Sequence, residues 1–200
     1  MAKASWLSVT PATGSGNGNV SVSTAAAHTG RVARSTTVTF KASGVTDKVA
    51  TVNQAGKPEF VQIQTSASAS KAGGVVTITG TTNSTKLTFA LGTGSLVITL
   101  PNSYLANSVS TNNGVAITGD PGAAQEFAFS IAITVPANVG ITSLSKQITV
   151  MANGGQTSNC TLTQAAGDAS LSISPATIDL TWEGTAQSIT VTSNTSWTVE

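Results

Sequence analysis

Two hundred residues allow one large or two small domains, and 40% hydrophobic residues are enough for cores. Only 8% of the residues are charged, and nine Lys/Arg against eight Asp/Glu leave a formal charge of +1. That balance excludes a basic, phosphate-binding surface and hence a nucleic-acid partner. No apolar run reaches the roughly 18 residues of a membrane-spanning helix, so no membrane partner is expected.

Helix-period apolar stripes are nearly absent, and period-2 alternation is everywhere. In chain order it predicts strands at residues 20–23, 37–40, 49–52, 61–63, 76–78, 87–89 and 96–98. Further strands are predicted at 127–135, 148–150, 161–163, 171–173 and 189–191. Turn clusters separate them: Gly14-Ser15-Gly16-Asn17-Gly18, Ser43-Gly44, Asn153-Gly154-Gly155 and Glu183-Gly184. Short β-branched runs punctuated by Gly/Asn turns predict an all-β chain of immunoglobulin-like antiparallel β-sandwiches.

The chain repeats itself. Ser35 to Gln54 aligns without a gap on Ser145 to Gln164, 110 residues later. Val38 meets Ile148, Ala42 meets Ala152, Gly44 meets Gly154, Val52 meets Leu162 and Gln54 meets Gln164. Val61 and Ile63 meet Leu171 and Ile173 at the same offset. Upstream, Ser5-Trp6-Leu7 and Pro11 match Ser95-Leu96-Val97 and Pro101, an offset of 90. The second copy therefore carries about 20 extra residues, and the Asn/Ser/Gly-rich stretch 102–125 is the expected insertion, an enlarged loop. The predicted layout is one complete sandwich at 57–168, the later strands of another at 1–56, and the first strands of that other at 169–200.

These segments resemble the BACON domain, an immunoglobulin-like module of Bacteroidetes proteins and of phages that infect them. Ser174-Pro175, Glu183-Gly184 and Asn194-Thr195-Ser196-Trp197 match the family's first part. Ala4-Ser5-Trp6-Leu7, Pro11, Gly14-Ser15-Gly16, Arg34-Ser35 and Gln54-Ala55 match the rest, so the family order is circularly permuted here. The middle copy is diverged, with Leu96 where Trp6 stands. The resemblance implies the sandwich fold, a bacterial or phage source and an extracellular or virion setting. Members of the family have been associated with carbohydrate or mucin binding.

A split sandwich leaves apolar faces and strand edges open, and open edges recruit other chains. The expected acceptor face is Trp6, Leu7, Val9, Val20, Val22, Val38, Phe40 and Val52. The expected donor strands carry Leu171, Ile173, Ile178, Leu180, Ile189, Val191, Trp197 and Val199. Donation of 169–200 to a neighbouring copy would give a homo-oligomer or filament, a ring if the rotation closes. Two alternatives stay open: a segment of a longer tandem array cut within a domain at both ends, and closure of head on tail within one chain.

Catalytic chemistry finds no anchor. His28 is the only histidine, in the turn-like Ala27-His28-Thr29-Gly30, and no Ser/His/Asp set forms around it. The single Cys160 excludes an internal disulfide and a Cys-cluster zinc site, and its alternating neighbours predict a half-buried strand position. Gly14–Gly18 precedes a strand, not a helix, so it does not read as a phosphate loop. No cofactor or metal is expected. Trp6 and Trp197 are expected in cores and Trp182 at the surface. The insertion offers a ligand loop through Asn102, Tyr104, Asn112, Asn113 and Asp120, because long loops on rigid sandwiches carry recognition. The N-terminal stretch lacks an apolar signal region, which suits a protein made in the cytoplasm and released in a virion. The sequence-based expectation is a non-enzymatic virion component, a capsid decoration, head fibre or tail-associated fibre that contacts itself and other virion proteins. The alternative is a carbohydrate-binding module from a Bacteroidetes surface protein, with a surface glycan as partner.

Overall fold

The computed structural model describes residues 3–200. The head holds β1 (Leu7–Thr10), β2 (Ser21–Thr24), β3 (Arg34–Phe40) and β4 (Lys48–Gln54). The middle holds β5 (Val61–Ile63), β6 (Ser66–Ala69), β7 (Gly74–Thr82), β8 (Leu87–Leu91) and β9 (Ser103–Ala106). It continues with β10 (Val109–Asn112), β11 (Phe127–Val135), β12 (Leu144–Ala152) and β13 (Thr157–Gln164). The tail holds β14 (Leu171–Ser174) and β15 (Thr190–Ser193).

The middle is a two-sheet sandwich. One sheet runs β10-β9-β11-β7-β5 and the other β6-β13-β12-β8. Its first edge changes sheets: β5 pairs antiparallel with β7, and β6 then pairs parallel with β13. Setting the extra edge strand β10 aside and counting β5 and β6 as one edge strand that changes sheets, the sandwich has the seven strands of an immunoglobulin-like fold.

Alternation decides which side chains face inward. On β11 Phe127, Phe129, Ile131, Ile133 and Val135 are buried and the residues between them are not. Opposite them lie Ile148 and Val150 of β12 and Cys160 and Leu162 of β13. Cys160 is fully buried rather than half-buried, because β13 lies between β12 and β6. Gln164 closes this core: its side-chain amide donates to the carbonyls of Pro136 (2.6 Å) and Ser70 (3.3 Å).

The repeat is visible as matching register. β3 pairs with β4 from Arg34↔Gln54 to Phe40↔Lys48, and β12 pairs with β13 through Leu144↔Gln164 and Val150↔Ser158. Every one of these positions is displaced by 110. The tail repeats the start of the middle sandwich: Leu171↔Ser193 and Ile173↔Val191 correspond to Val61↔Thr82 and Ile63↔Gly80. Here the offset is 110 on the first strand and 111 on the second, so the tail carries one extra residue between them.

Two expectations are corrected. The stretch 102–125 is not an enlarged loop. It forms the β9–β10 hairpin, which adds to β11 through Phe129↔Ala106, and then a 3-10 turn at Pro121–Ala123. Tyr104 and Ala106 point into the core, which is why a segment rich in polar residues still pairs. The run 96–98 is not a regular strand, although Leu96 and Ile98 are buried and Val97 is exposed. Its backbone instead attaches by Leu96 N–H to the carbonyl of Ser145 (2.8 Å).

Candidate functional site

The head's four strands form two separate two-stranded sheets, β1-β2 and β3-β4, and the tail's two strands form a third. None of these sheets includes a strand from another, so the tail does not close the head by pairing with it. In the middle sandwich β12 and β13 are flanked by β8 and β6. Among the described residues, their counterparts β3 and β4 have no strand on either outer edge.

The expected acceptor residues divide. Leu7 and Val38 are buried, and Trp6, Val9 and Val52 are partly buried. Trp6 is covered on one face by the Arg34 guanidinium, 4.4 Å from the ring centroid. Val20, Val22 and Phe40 are exposed. A groove of about 590 Å³ opens beside them, between the loop at Pro11–Gly18 and the Val38–Lys41 end of β3. In the middle sandwich the corresponding end of β12 is covered by β8, with Val150 opposite Phe89.

The donor side chains are more open. Leu171, Ile173, Leu180 and Ile189 are exposed, as is Val199 at 83%. Ile178 and Val191 are partly covered. Trp197, expected in a core, is 50% exposed instead. Trp182 lies at the surface, 94% exposed.

The five expected loop residues do not form one ligand surface. Tyr104 is buried with its ring 5.0 Å from Phe89. Asn113 bonds both backbone groups of Phe89, accepting from its N–H (2.8 Å) and donating to its carbonyl (3.1 Å). Asp120 pairs with Arg31 of the head at 2.6 Å. Asn102 and Asn112 are exposed at the ends of the β9–β10 hairpin. His28 is half-buried, with Nε2 2.7 Å from the carbonyl of Val32, which requires a proton on that nitrogen. Burial pushes the Cys160 thiol up from its ordinary value. It does the same to the Tyr104 phenol, with a smaller opposing effect from the Leu87 backbone.

Two asparagines that strand patterning does not reveal build the connections between the parts. Asn83 accepts from the N–H of Phe60 (3.0 Å) and donates to the carbonyls of Pro58 (3.2 Å), Lys57 (3.3 Å) and Thr29 (3.4 Å). Asn194 accepts from the N–H of Ser170 (2.9 Å) and donates to the carbonyls of Asp168 (2.8 Å) and Val139 (2.9 Å). Phe60, Pro58 and Thr29 become Ser170, Asp168 and Val139 on adding 110. Lys57 N–H donates to Gly30 O (2.8 Å), and Gly167 N–H to Gly140 O (2.7 Å), again 110 apart. The signal available in the sequence is Asn followed by two hydroxyl residues, Asn83-Ser84-Thr85 and Asn194-Thr195-Ser196.

Among the described residues no three His, Cys, Asp or Glu side chains lie together as a metal site, and no helix is long and apolar enough to cross a membrane. Among curated proteins none matches the chain. Among solved structures, the collagen binding domain of the Erysipelothrix rhusiopathiae surface protein RspB is similar at 10% identity and a TM-score of 0.21. The match covers 74% of this chain and 63% of that one, so the chain spans less than two thirds of that domain's length. Residues 1–55 match the BACON family, described as "Putative binding domain, N-terminal". The head is thus similar to the BACON family over residues 1–55, and the chain's fold is all-β, with an immunoglobulin-like sandwich in the middle.

Proposed function

We propose that the chain assembles head to tail, residues 169–200 of one copy supplying the first strands of the sandwich whose later strands are residues 1–56 of the next. The observation that carries this reading is the shared register. β3–β4 repeats β12–β13, β14–β15 repeats the β5–β7 pairing, and the middle sandwich is what the two give when combined. The tail exposes Leu171, Ile173, Leu180 and Ile189, and the head exposes Val20, Val22 and Phe40, apolar side chains that the other half would cover. Burying one such side chain is worth roughly 1.5–3 kcal/mol, opposed by the entropy of ordering the tail. The contact is heterologous, so it propagates into a filament or closes into a ring. A neutral surface with 8% charged residues suits a fibre or decoration on a virion.

The register of donation follows from the middle sandwich, where Thr163 lies opposite Ser68 in the parallel pair. Subtracting 110 from the first and adding 111 to the second gives Asp179 of one copy opposite Asn53 of the next. This choice also puts Ile178 and Leu180 where Ala67 and the buried Ala69 stand. The N53C/D179C double variant is therefore expected to oxidise into a ladder of disulfide-linked multimers. Deleting 169–200 is expected to abolish assembly in electron micrographs. Intramolecular crosslinking alone, or filaments from the truncated chain, would refute donation.

A second reading, a glycan-binding module, draws on the exposed Trp182, whose ring is free to stack on a sugar. Glycan-array binding by a monomer that W182A abolishes would favour it.

A further inference from the structure

The connection between head and middle has a second layer beyond Asn83. Backbone N–H groups of Arg31 and Val32 donate to the carbonyls of Gly122 (2.8 Å) and Ala123 (3.0 Å) in the turn that precedes β11. Glu126 N–H donates to Thr29 Oγ1 (3.2 Å), and the Lys57 ammonium lies 2.9 Å from the Glu126 carboxylate. Gly30 is buried in this contact, and a Cβ there would collide with the backbone of Ala123 and Ala124.

The connection between middle and tail has the first layer and lacks the second. The counterparts of Thr29, Gly30, Arg31 and Val32 are Val139, Gly140, Ile141 and Thr142, and all four are exposed. Gly140 has its own glycine space unfilled: a Cβ there would meet only Asn138 Oδ1, at 3.4 Å. The missing piece belongs to the sandwich that the tail begins. In the middle sandwich that piece is the turn before β11. In the split sandwich it is the segment before β2, which lies in the head, at residues 12–16 by the same offset.

We infer that Gly140–Thr142 is a second docking surface, and that its occupant is the Gly-rich loop at residues 12–16 of the copy whose head receives the tail. The inference rests on the head-to-tail reading and adds a contact between that head and the donor's middle sandwich. Occupation reproduces at each chain junction the geometry already built around Gly30. Successive sandwiches are then related by one repeated step, whether the junction lies within a chain or between chains. An incoming loop with Gly14 and Gly16 brings backbone close without side chains in the way, and a Cβ added at either glycine would meet nothing within 4 Å in the single chain.

The test pairs G140A with hydrogen exchange of the full chain. The isolated G140A chain is expected to melt like the unsubstituted one, since its new methyl faces open space. Its critical concentration for assembly is expected to rise roughly tenfold or more, the scale of an overpacked contact. Ile141 and Thr142 amides are expected to exchange more slowly in the unsubstituted assembly than in the monomer. If the unsubstituted chain assembles while G140A assembles equally well and these amides stay unprotected, the second surface is absent and donation stands. If the unsubstituted chain stays monomeric at every concentration, the head-to-tail reading fails and this contact fails with it.

Discussion

Asn83 and Asn194 show what one side chain contributes when backbone groups converge on it. An amide carries two N–H hydrogens, which on Asn83 are shared among three carbonyls, and an oxygen that accepts, so it satisfies carbonyls and an N–H that no strand partner reaches. Asn83 is fully buried, and its bonds to Lys57 and Pro58 leave the short connector after β4 little freedom. Cys160 and Tyr104 are the residues through which pH reaches the core. Both acids are neutral when protonated, and burial raises both above their ordinary 9.0 and 10.0. Their contribution to stability is complete below those values. As pH rises past them the unfolded chain releases protons that the folded chain still holds, and stability falls. Urea midpoints are therefore expected to decline from about pH 9 upward, and C160A is expected to delay the onset toward the tyrosine range. A flat profile to about pH 11 would contradict it.

At the scale of elements, the same alternation has different energetic weight in different places. Ile131 on β11 and Ile173 on β14 are both strand isoleucines. Ile131 is 1% exposed between two sheets, whereas Ile173 is 51% exposed on a two-stranded sheet. I131A is expected to cost about 2–5 kcal/mol in the isolated chain. I173A is expected to cost less than about 0.5 kcal/mol there and to weaken assembly instead. Urea denaturation of monomer and sedimentation of assembled protein read the two effects separately. Equal losses of monomer stability would show that the tail face is already covered. The β9–β10 hairpin illustrates the opposite case, in which few apolar residues suffice: Tyr104 and Ala106 supply the inward face, and β11 supplies the partner edge.

For the whole molecule, burial is concentrated in the middle sandwich, which holds one contiguous core. Isolated two-stranded sheets are marginal in water, and the head and tail consist of such sheets. Amides of β1–β4, β14 and β15 are accordingly expected to exchange much faster than those of β11 and β12 in the monomer. On assembly they are expected to approach the protection of the middle sandwich. Fast exchange that persists in assembled protein would mean that the halves do not complete each other.

Fold class and the 110-residue repeat were legible from the chain alone, because β-branched alternation and Gly/Asn turns are local signals. The matched registers of β3–β4 and β12–β13 follow the alignment read from Ser35–Gln54 and Ser145–Gln164. The role of 103–112 was not legible: its inward pair is only Tyr104 and Ala106, and its pairing depends on an edge of β11 more than 15 residues away in sequence. Nor was the joint around Asn83 and Gly30, whose partners lie up to 94 positions apart and meet only after both sheets have formed. Local chemistry determines which segments become strands and which faces are apolar. Which face is covered, and by what, is decided by long-range packing, and in this chain that packing leaves most of the tail and part of the head uncovered.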